Sequence, residues 1–354
     1  MTRFVPFYSP GPNSKLPEKP ELSESQLEKY NEVLEHFQAV TELPVDQKSK
    51  ETSALTDSEK AWLTKECFLR YLRATKWNVP HCLKRLEDTI VWRRGFGLDP
   101  ETNLTPEQVS DESLTGKQVV LGFDNDNRPC LYLKPGRQNT TASHRQVEHM
   151  VFMLERVIDF TPPGQDQCAL IIDFKPVPDV GVSARHKMPS ISIGREWLNI
   201  LQNHYPERLG KALLTNIPRL AWIFLKLIRP FIDPNTYEKL VFEEPLDLYV
   251  PKDQLDQEVG GDLEFEYDHD QYFPAMNEMA AKKRANYMKN FYALGAQIGL
   301  SEVDLRKEVD ESDGSSPLTL TDEKVGNGDL ESDALADKLK GVDLDTKEET
   351  IDVN

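Results

Sequence analysis

Hydrophobic spacing divides the chain into segments. Over residues 26–40, QLEKYNEVLEHFQAV places Leu27, Tyr30, Leu34 and Phe37 on one helical face. Thr56-Asp-Ser-Glu59 is a capping box, so a helix is predicted from there to about Ala74. Asn78-Val-Pro80 opens another, ending near Gly95-Phe-Gly97. Residues 50–96 therefore read as a small helical unit. From 117 to 133, KQVVLGFDNDNRPCLYL is two β-like runs around a DNDN turn. Val147, Met150, Val151, Leu154, Val157 and Ile158 then keep the i, i+3, i+4, i+7 spacing of an amphipathic helix. CALIIDF (168–174) is short and nearly all apolar, as a strand buried on both faces should be. A helix is expected over 189–203, and further strands at ALLTNI (212–217) and KLVFEE (239–244). Gly260-Gly261 interrupts the pattern before a last helical region at about 274–298. Alternating helices and strands predict an α/β domain with a partly parallel sheet.

One segment resists this classification. In LAWIFLKLIRPFIDP (220–234), large apolar residues surround Lys226 and Arg229. Wound as a helix at about 100° per residue, Arg219, Lys226 and Arg229 fall within about 80° of arc, and apolar side chains cover most of the rest. A helix docked on a core needs an apolar stripe of only about 100°. Two readings stay open: a core helix covered on its far side, or a helix that closes an apolar cavity and can also face lipid. In the second, the cations meet anionic headgroups at about 1 kcal/mol each. Asp233-Pro234 ends the helix, because proline cannot continue it.

Charge narrows the class. The 354 residues carry a net charge of −18, which argues against nucleic acid as a partner. Residues 301–354 hold 17 Asp/Glu against 6 Lys/Arg, with few aromatics, the composition of a disordered acidic tail. Cys67, Cys82, Cys130 and Cys168 are widely spaced and form no CxxC pair, so neither a disulfide framework nor a zinc site is expected, and a reducing compartment is. The opening MTRFVPFYSPGPNSK lacks the apolar core of a signal peptide, and no run reaches the roughly 18 apolar residues of a membrane span.

Enzyme chemistry finds no footing. GVSAR (181–185) lacks the second glycine of a nucleophile elbow, and there is no P-loop, GxGxxG or HExxH. His144 and His149 are five apart, which does not stack them on one helix face. No enzyme activity, metal or cofactor is expected.

Longer motifs carry a resemblance. FLRYLRATKWNV (68–79), VWRRGFG (91–97), DFKPV (173–177), YPERLGK (205–211), RPFIDPNTYEK (229–239) and EVGG (258–261) occur in an order and spacing that resemble the CRAL-TRIO lipid-binding family. More narrowly they resemble the fungal phosphatidylinositol transfer proteins of the pleiotropic-drug-resistance branch. The resemblance spans about 55–275. It implies an N-terminal helical lobe and a mixed, largely parallel sheet that floors an apolar pocket, closed by a gate helix at the 220–234 segment. Together with the composition and helix pattern outside it, this divides the chain into an arm and helix (1–50), a helical lobe (51–100), the lipid-binding domain (101–275), a C-terminal helix (276–300) and an acidic tail (301–354).

The resemblance also implies the chemistry. Glu207, Lys239, Thr236 and Lys76 hold the inositol phospholipid head: the lysines pair with phosphate, Glu207 accepts from inositol hydroxyls, and Thr236 can donate or accept. The position before Lys76 is commonly Arg in relatives and is Thr75 here. Relatives that also carry phosphatidylcholine place hydroxyls where this chain has Leu131, Leu154, Cys168 and Leu170. A zwitterionic head would lack partners there at about 1–3 kcal/mol per unmet group, whereas a sterol-like ligand would not. Trp222, Phe224, Leu225, Ile228 and Phe231 are assigned to the gate, and Arg219, Lys226 and Arg229 to its membrane-facing side. The implied protein is a cytoplasmic, non-enzymatic carrier of phosphatidylinositol and a sterol-like second ligand. It makes transient contact with the endoplasmic reticulum, lipid droplets and plasma membrane, serves lipid kinases, and supports azole tolerance. The alternative is a lipid-sensing adaptor acting through protein partners.

Overall fold

The computed structural model describes residues 2–99, 104–178, 180, 182, 190–232 and 234–308, with the side chains of Leu220, Phe224, Ile228 and Phe231 outside that description. GVSAR falls almost wholly outside it, as does the acidic segment from 309 onward.

The helical lobe begins with α1 (Glu24–Ala39), capped by Ser23. Its buried residues are Tyr30, Val33 and Phe37, while Leu27 is exposed, so the apolar face is rotated from the predicted one. Phe37 stacks on Phe68 at 5.6 Å and Tyr30 approaches the same ring, and Val33 joins their cluster in place of Leu27. A short hairpin, β1 (Glu42–Pro44) and β2 (Thr52–Ala54), leads to α2 (Asp57–Trp62) and α3 (Lys65–Ala74). The single helix predicted over 56–74 is thus two. Leu63 leaves helical geometry, and Thr64 caps the second helix by accepting from the Cys67 N–H. α4 (Val79–Phe96) ends at Gly97 in the left-handed conformation.

The α/β part follows with α5 (Pro106–Ser113), β3 (Gln118–Phe123), β4 (Pro129–Leu133), α6 (His144–Asp159), β5 (Cys168–Asp173), α7 (Ile191–His204), β6 (Leu209–Thr215), α8 (Arg219–Ile228), α9 (Pro234–Tyr237) and β7 (Leu240–Phe242). The sheet order is β3-β4-β5-β6-β7; only β3 is antiparallel to its neighbour. Period-2 alternation separates its faces. Ile172, Ala212, Leu214, Leu240 and Phe242 pack with Ala221 and Leu225 of α8. Ala169, Ile171 and Leu213 join the larger core with α6 and the following helix. Both faces are therefore covered, as the apolar strand sequences require.

That following helix, α10 (His269–Ala293), starts five residues earlier than predicted and runs through the division drawn at 275/276. Pro274 suggests a helix start, but Asp268 is the cap, accepting from Gln271 N–H, and Pro274 lies in the second turn. α11 (Glu302–Leu305) follows, with Glu302 and Leu305 buried. The acidic tail drawn from 301 therefore begins later than composition suggested: residues 301–308 belong to the fold. At the other end the arm lies against the body. Arg3 pairs through its backbone with Glu264 and Glu266, and the Lys15 N–H donates to Asn125 O. Gly261 explains part of the EVGG motif, since a Cβ there would collide with the Leu255 carbonyl.

Candidate functional site

β6 and β7 run parallel, so their starts lie at the same edge of the sheet. Glu207 precedes β6 by two residues and Lys239 precedes β7 by one. Their charged groups meet at 3.8 Å, both half-buried. An ion pair this exposed contributes little to stability, so both groups stay available to a polar ligand. Thr236, in α9, is also half-buried, and its carbonyl accepts from the Lys239 N–H at 3.1 Å. The structure thus brings together Glu207 and Lys239, with Thr236 one helical turn away.

Lys76 is not joined to them by any ion pair among the described residues. It is exposed at the end of α3, where Lys76 and Trp77 both take positive φ (52° and 60°). Thr75, where an arginine was expected, turns inward: its hydroxyl donates to the carbonyls of Tyr71 and Leu72.

Glu207 itself is strained, with φ of 59°. A non-glycine residue in the left-handed region costs about 1–2 kcal/mol and needs constraint from its surroundings. Several contacts supply it. The Arg208 carbonyl accepts from Cys168 N–H at 2.8 Å, Gln167 Nε2 donates to the Glu207 carbonyl at 3.4 Å, and the Arg208 side chain is buried.

That side chain enters a cluster the sequence reasoning did not foresee. Arg70 Nη2 donates to Glu302 Oε1 at 2.6 Å, Thr64 donates to the same oxygen at 3.1 Å, and Arg208 Nη2 lies 3.5 Å from it. Arg306 approaches the other oxygen at 3.9 Å. Burial opposes ionisation of Glu302, but the guanidiniums of Arg70, Arg208 and Arg306 more than reverse it, so the carboxyl lies well below its usual range. A cavity of about 470 Å³ adjoins this cluster, between the helical lobe, Tyr205–Arg208 and α10. One signal was present: Arg70 sits on the same helix face as Cys67 and Tyr71, where an unpaired cation is costly.

Of the positions assigned to the pocket, Leu131, Leu154 and Cys168 are buried in the larger core, and Leu170 packs half-buried against both that core and the cluster under α8. Leu131 and Leu170 are register partners on neighbouring strands. The Cys168 thiol donates to the Arg208 carbonyl, and burial pushes its pKa up to about 11, so it remains a neutral thiol.

On α8, Ala221 is buried and Leu225 half-buried against the sheet. Trp222, Ile223 and Leu227 are exposed, and so are Arg219, Lys226 and Arg229. Trp222 rests 5.3 Å from the Phe242 ring. The gate side chains Phe224, Ile228 and Phe231 lie outside the described residues. No helix among the described residues is long and apolar enough to cross a membrane.

Sequence comparison decides the family. Residues 114–261 match the CRAL/TRIO domain and residues 29–88 match the CRAL/TRIO N-terminal domain. The phosphatidylinositol transfer protein PDR17 of Saccharomyces cerevisiae is 44% identical over 301 residues, 82% of this chain and 86% of its own length. The chain belongs to the CRAL/TRIO family. A CRAL-TRIO domain-containing protein of Schizosaccharomyces pombe is 49% identical over 300 residues, but this chain spans only 29% of it. The SEC14 cytosolic factor of Kluyveromyces lactis is 29% identical over 241 residues, covering 61% of this chain and 78% of its own. The CRAL/TRIO match begins at the turn before β3 and ends at Gly261, so it contains the five-stranded sheet, Glu207, Thr236 and Lys239.

Proposed function

We propose that this chain is a non-enzymatic lipid carrier. It extracts phosphatidylinositol from cytosol-facing membranes into an apolar space between the sheet and α8. Glu207, Lys239 and Thr236 read the inositol phosphate head, and Lys76 approaches it from the helical lobe. The observation that carries this reading is the Glu207–Lys239 pair, an acceptor and a cation 3.8 Å apart and half-exposed beside the α8-covered face. A phosphoinositol head offers hydroxyl donors to one and an anionic phosphate to the other. PDR17, a phosphatidylinositol transfer protein by name, supports it through its similarity over most of both chains.

The finer specificity follows from the pocket positions. On this reading the cargo reaches Leu170 under α8, and there, as at Leu131, Leu154 and Cys168 in the adjoining core, a choline headgroup finds no hydroxyl partner. A sterol-like second cargo suits such a lining, and with it a contribution to azole tolerance. Two acyl chains amount to on the order of 20 kcal/mol of hydrocarbon to be kept from water, at about 0.8 kcal/mol per CH₂. That is why a cover is needed, and why it opens at a membrane. Arg219, Lys226 and Arg229 with Trp222 form its membrane-facing side. The endoplasmic reticulum, lipid droplets and plasma membrane are the surfaces served, and lipid kinases are the consumers of presented phosphatidylinositol.

Transfer of labelled lipids between vesicles tests the reading. Phosphatidylinositol should move and phosphatidylcholine should not. Failure with phosphatidylinositol, or equal transfer of both, overturns it. Glu207→Ala combined with Lys239→Ala should weaken phosphatidylinositol loading by about tenfold or more, the scale of one lost charge-assisted contact. Sterol loading should persist; a parallel loss of both would make the pair structural.

A further inference from the structure

Arg208 follows Glu207 in sequence, and its buried side chain enters the ion cluster. Its backbone carbonyl is tied to β5 by Cys168 N–H. Among the described residues its guanidinium makes two polar contacts: Nη1 donates to the Asp166 carbonyl at 2.9 Å, and Nη2 lies 3.5 Å from Glu302 Oε1. The cavity of about 470 Å³ is lined by Arg208, Tyr205 and Pro206 as well as by Arg70, Glu302 and Arg306. Close packing therefore does not fix the Arg208 side chain; an open volume lies beside it, and charge must hold it in place. Glu302 is itself secured. It bonds Arg70 and Thr64, and its own N–H donates to Glu66 at 2.6 Å.

We propose that Glu302 is a positioning residue for the headgroup site: through Arg208 it keeps Glu207 in the left-handed turn that faces Lys239. This rests on the reading that Glu207 and Lys239 hold the inositol head. The carboxylate closing the fold at its C-terminal helix thus sets the geometry of a turn 95 positions earlier in the chain. Without that charge, the guanidinium keeps the Asp166 carbonyl but loses its anionic partner, Nη2 can shift toward the adjoining space, and the turn loses one of the contacts that offset its strain. The acyl space between the sheet and α8 is lined by Ile172, Ala212, Leu214, Leu240 and Phe242, none of which lines the cavity beside this cluster, and it should be unaffected.

The test uses the full chain and two lipids with matched acyl chains, phosphatidylinositol and diacylglycerol, loaded from vesicles. Glu302→Gln should weaken phosphatidylinositol loading about tenfold, equivalent to about 1.4 kcal/mol, with diacylglycerol loading unchanged. Arg208→Gln should do the same, and the double variant should be no worse than either single, because both act through one guanidinium. Arg306→Gln, which leaves the Arg208–Glu302 contact in place, should keep the native ratio of the two lipids. If Glu302→Gln does not fold, Arg208→Gln decides alone, since Glu302 there still has Arg70 and Thr64. A parallel fall for both lipids, or an unchanged ratio, overturns the proposal. Glu207→Ala separates the two levels. If it leaves the preference for phosphatidylinositol intact, the headgroup reading itself fails. If it removes the preference while Glu302→Gln and Arg208→Gln do not, only the positioning role fails.

Discussion

A chain ending at Leu300 is expected to unfold far more easily than one ending at Glu308, although the segment between them is eight residues long and reads as the start of a tail. Two losses dominate. Removing Glu302 takes from Arg70, whose side chain is 2% exposed, its closest carboxylate, leaving Asp166 at 3.7 Å, and takes the carboxylate partner from Arg208 beside it. Breaking a buried pair in this way costs about 3–5 kcal/mol. Removing Leu305, which is wholly buried beside Phe291 and Ala61, forfeits about 1.5–3 kcal/mol of apolar burial. Asn290, buried on α10, also loses the carbonyls of Leu305 and Lys307 at 3.0 and 2.8 Å. The difference should be on the order of 5 kcal/mol or more, a large part of a typical domain's total stability. Urea unfolding of the two truncated chains, followed by tryptophan fluorescence, measures it. Coincident midpoints would show that the Glu302 cluster does not stabilise the fold. A deletion meant to remove the acidic segment alone should therefore cut after Glu308.

Stability should also fall as pH drops from about 6.5 to about 4, with His204 as a principal cause. Its ring stacks on Trp92 at 4.1 Å and 3°, and Nδ1 lies 3.0 Å from the Thr89 hydroxyl. Burial, then the cations Arg85 and Arg93, lower its pKa to about 4, with Asp88 opposing. The unfolded chain takes up the proton near pH 6.5, the folded one only near 4. Between those values the unfolded state binds more protons, so stability present at neutral pH is lost on acidification; below 4 this residue adds no further loss. The shift corresponds to on the order of 3 kcal/mol. His204→Gln, which can still meet Thr89, should remove that much of the decline. Buried His149, bonded to Ser113 and also lowered by burial, contributes in the same window and should leave a residual slope. The lowered carboxyls of Glu302, Glu155 and Asp166 act in the opposite range. Their stabilisation is complete above about pH 4.5 and is lost only below it. Chemical denaturation at half-unit steps from pH 7 to 4 checks the effect; equal slopes for native and variant would count against it.

The sheet was legible because its strands are buried on both faces. CALIIDF and ALLTNI have no polar alternation to mislead, and each overlaps an observed strand. Elements whose limits depend on a distant partner were not. The break at Leu63–Thr64 is set by Thr64, which caps α3 and also bonds Glu302, a residue that composition assigned to the tail. Tyr30 and Phe37 of the α1 face follow from spacing, but that Val33 rather than Leu27 is buried depends on the helical-lobe cluster it joins. Glu207, Thr236 and Lys239, the proposed headgroup residues, were named from motifs. The meeting of Glu207 and Lys239 was not, since it depends on the parallel register of β6 and β7. Arg208 and Glu302 are far apart in the sequence and belong to no shared motif, so their pairing needed the fold.

The crossover from β6 to β7 has a mechanical consequence. Because the two strands are parallel, the chain must return from Thr215 at one end of the sheet to Leu240 at the other, and α8 lies within that return. The segment that covers the apolar face therefore terminates at Lys239. If α8 lifts as the proposed function requires, it pulls on the same tether that presents the lysine, while the Glu207 turn keeps its backbone tie to β5. On that proposal, uncovering the hydrocarbon and loosening the ionic grip are a single stroke, and a cargo held at both ends is surrendered at both ends together.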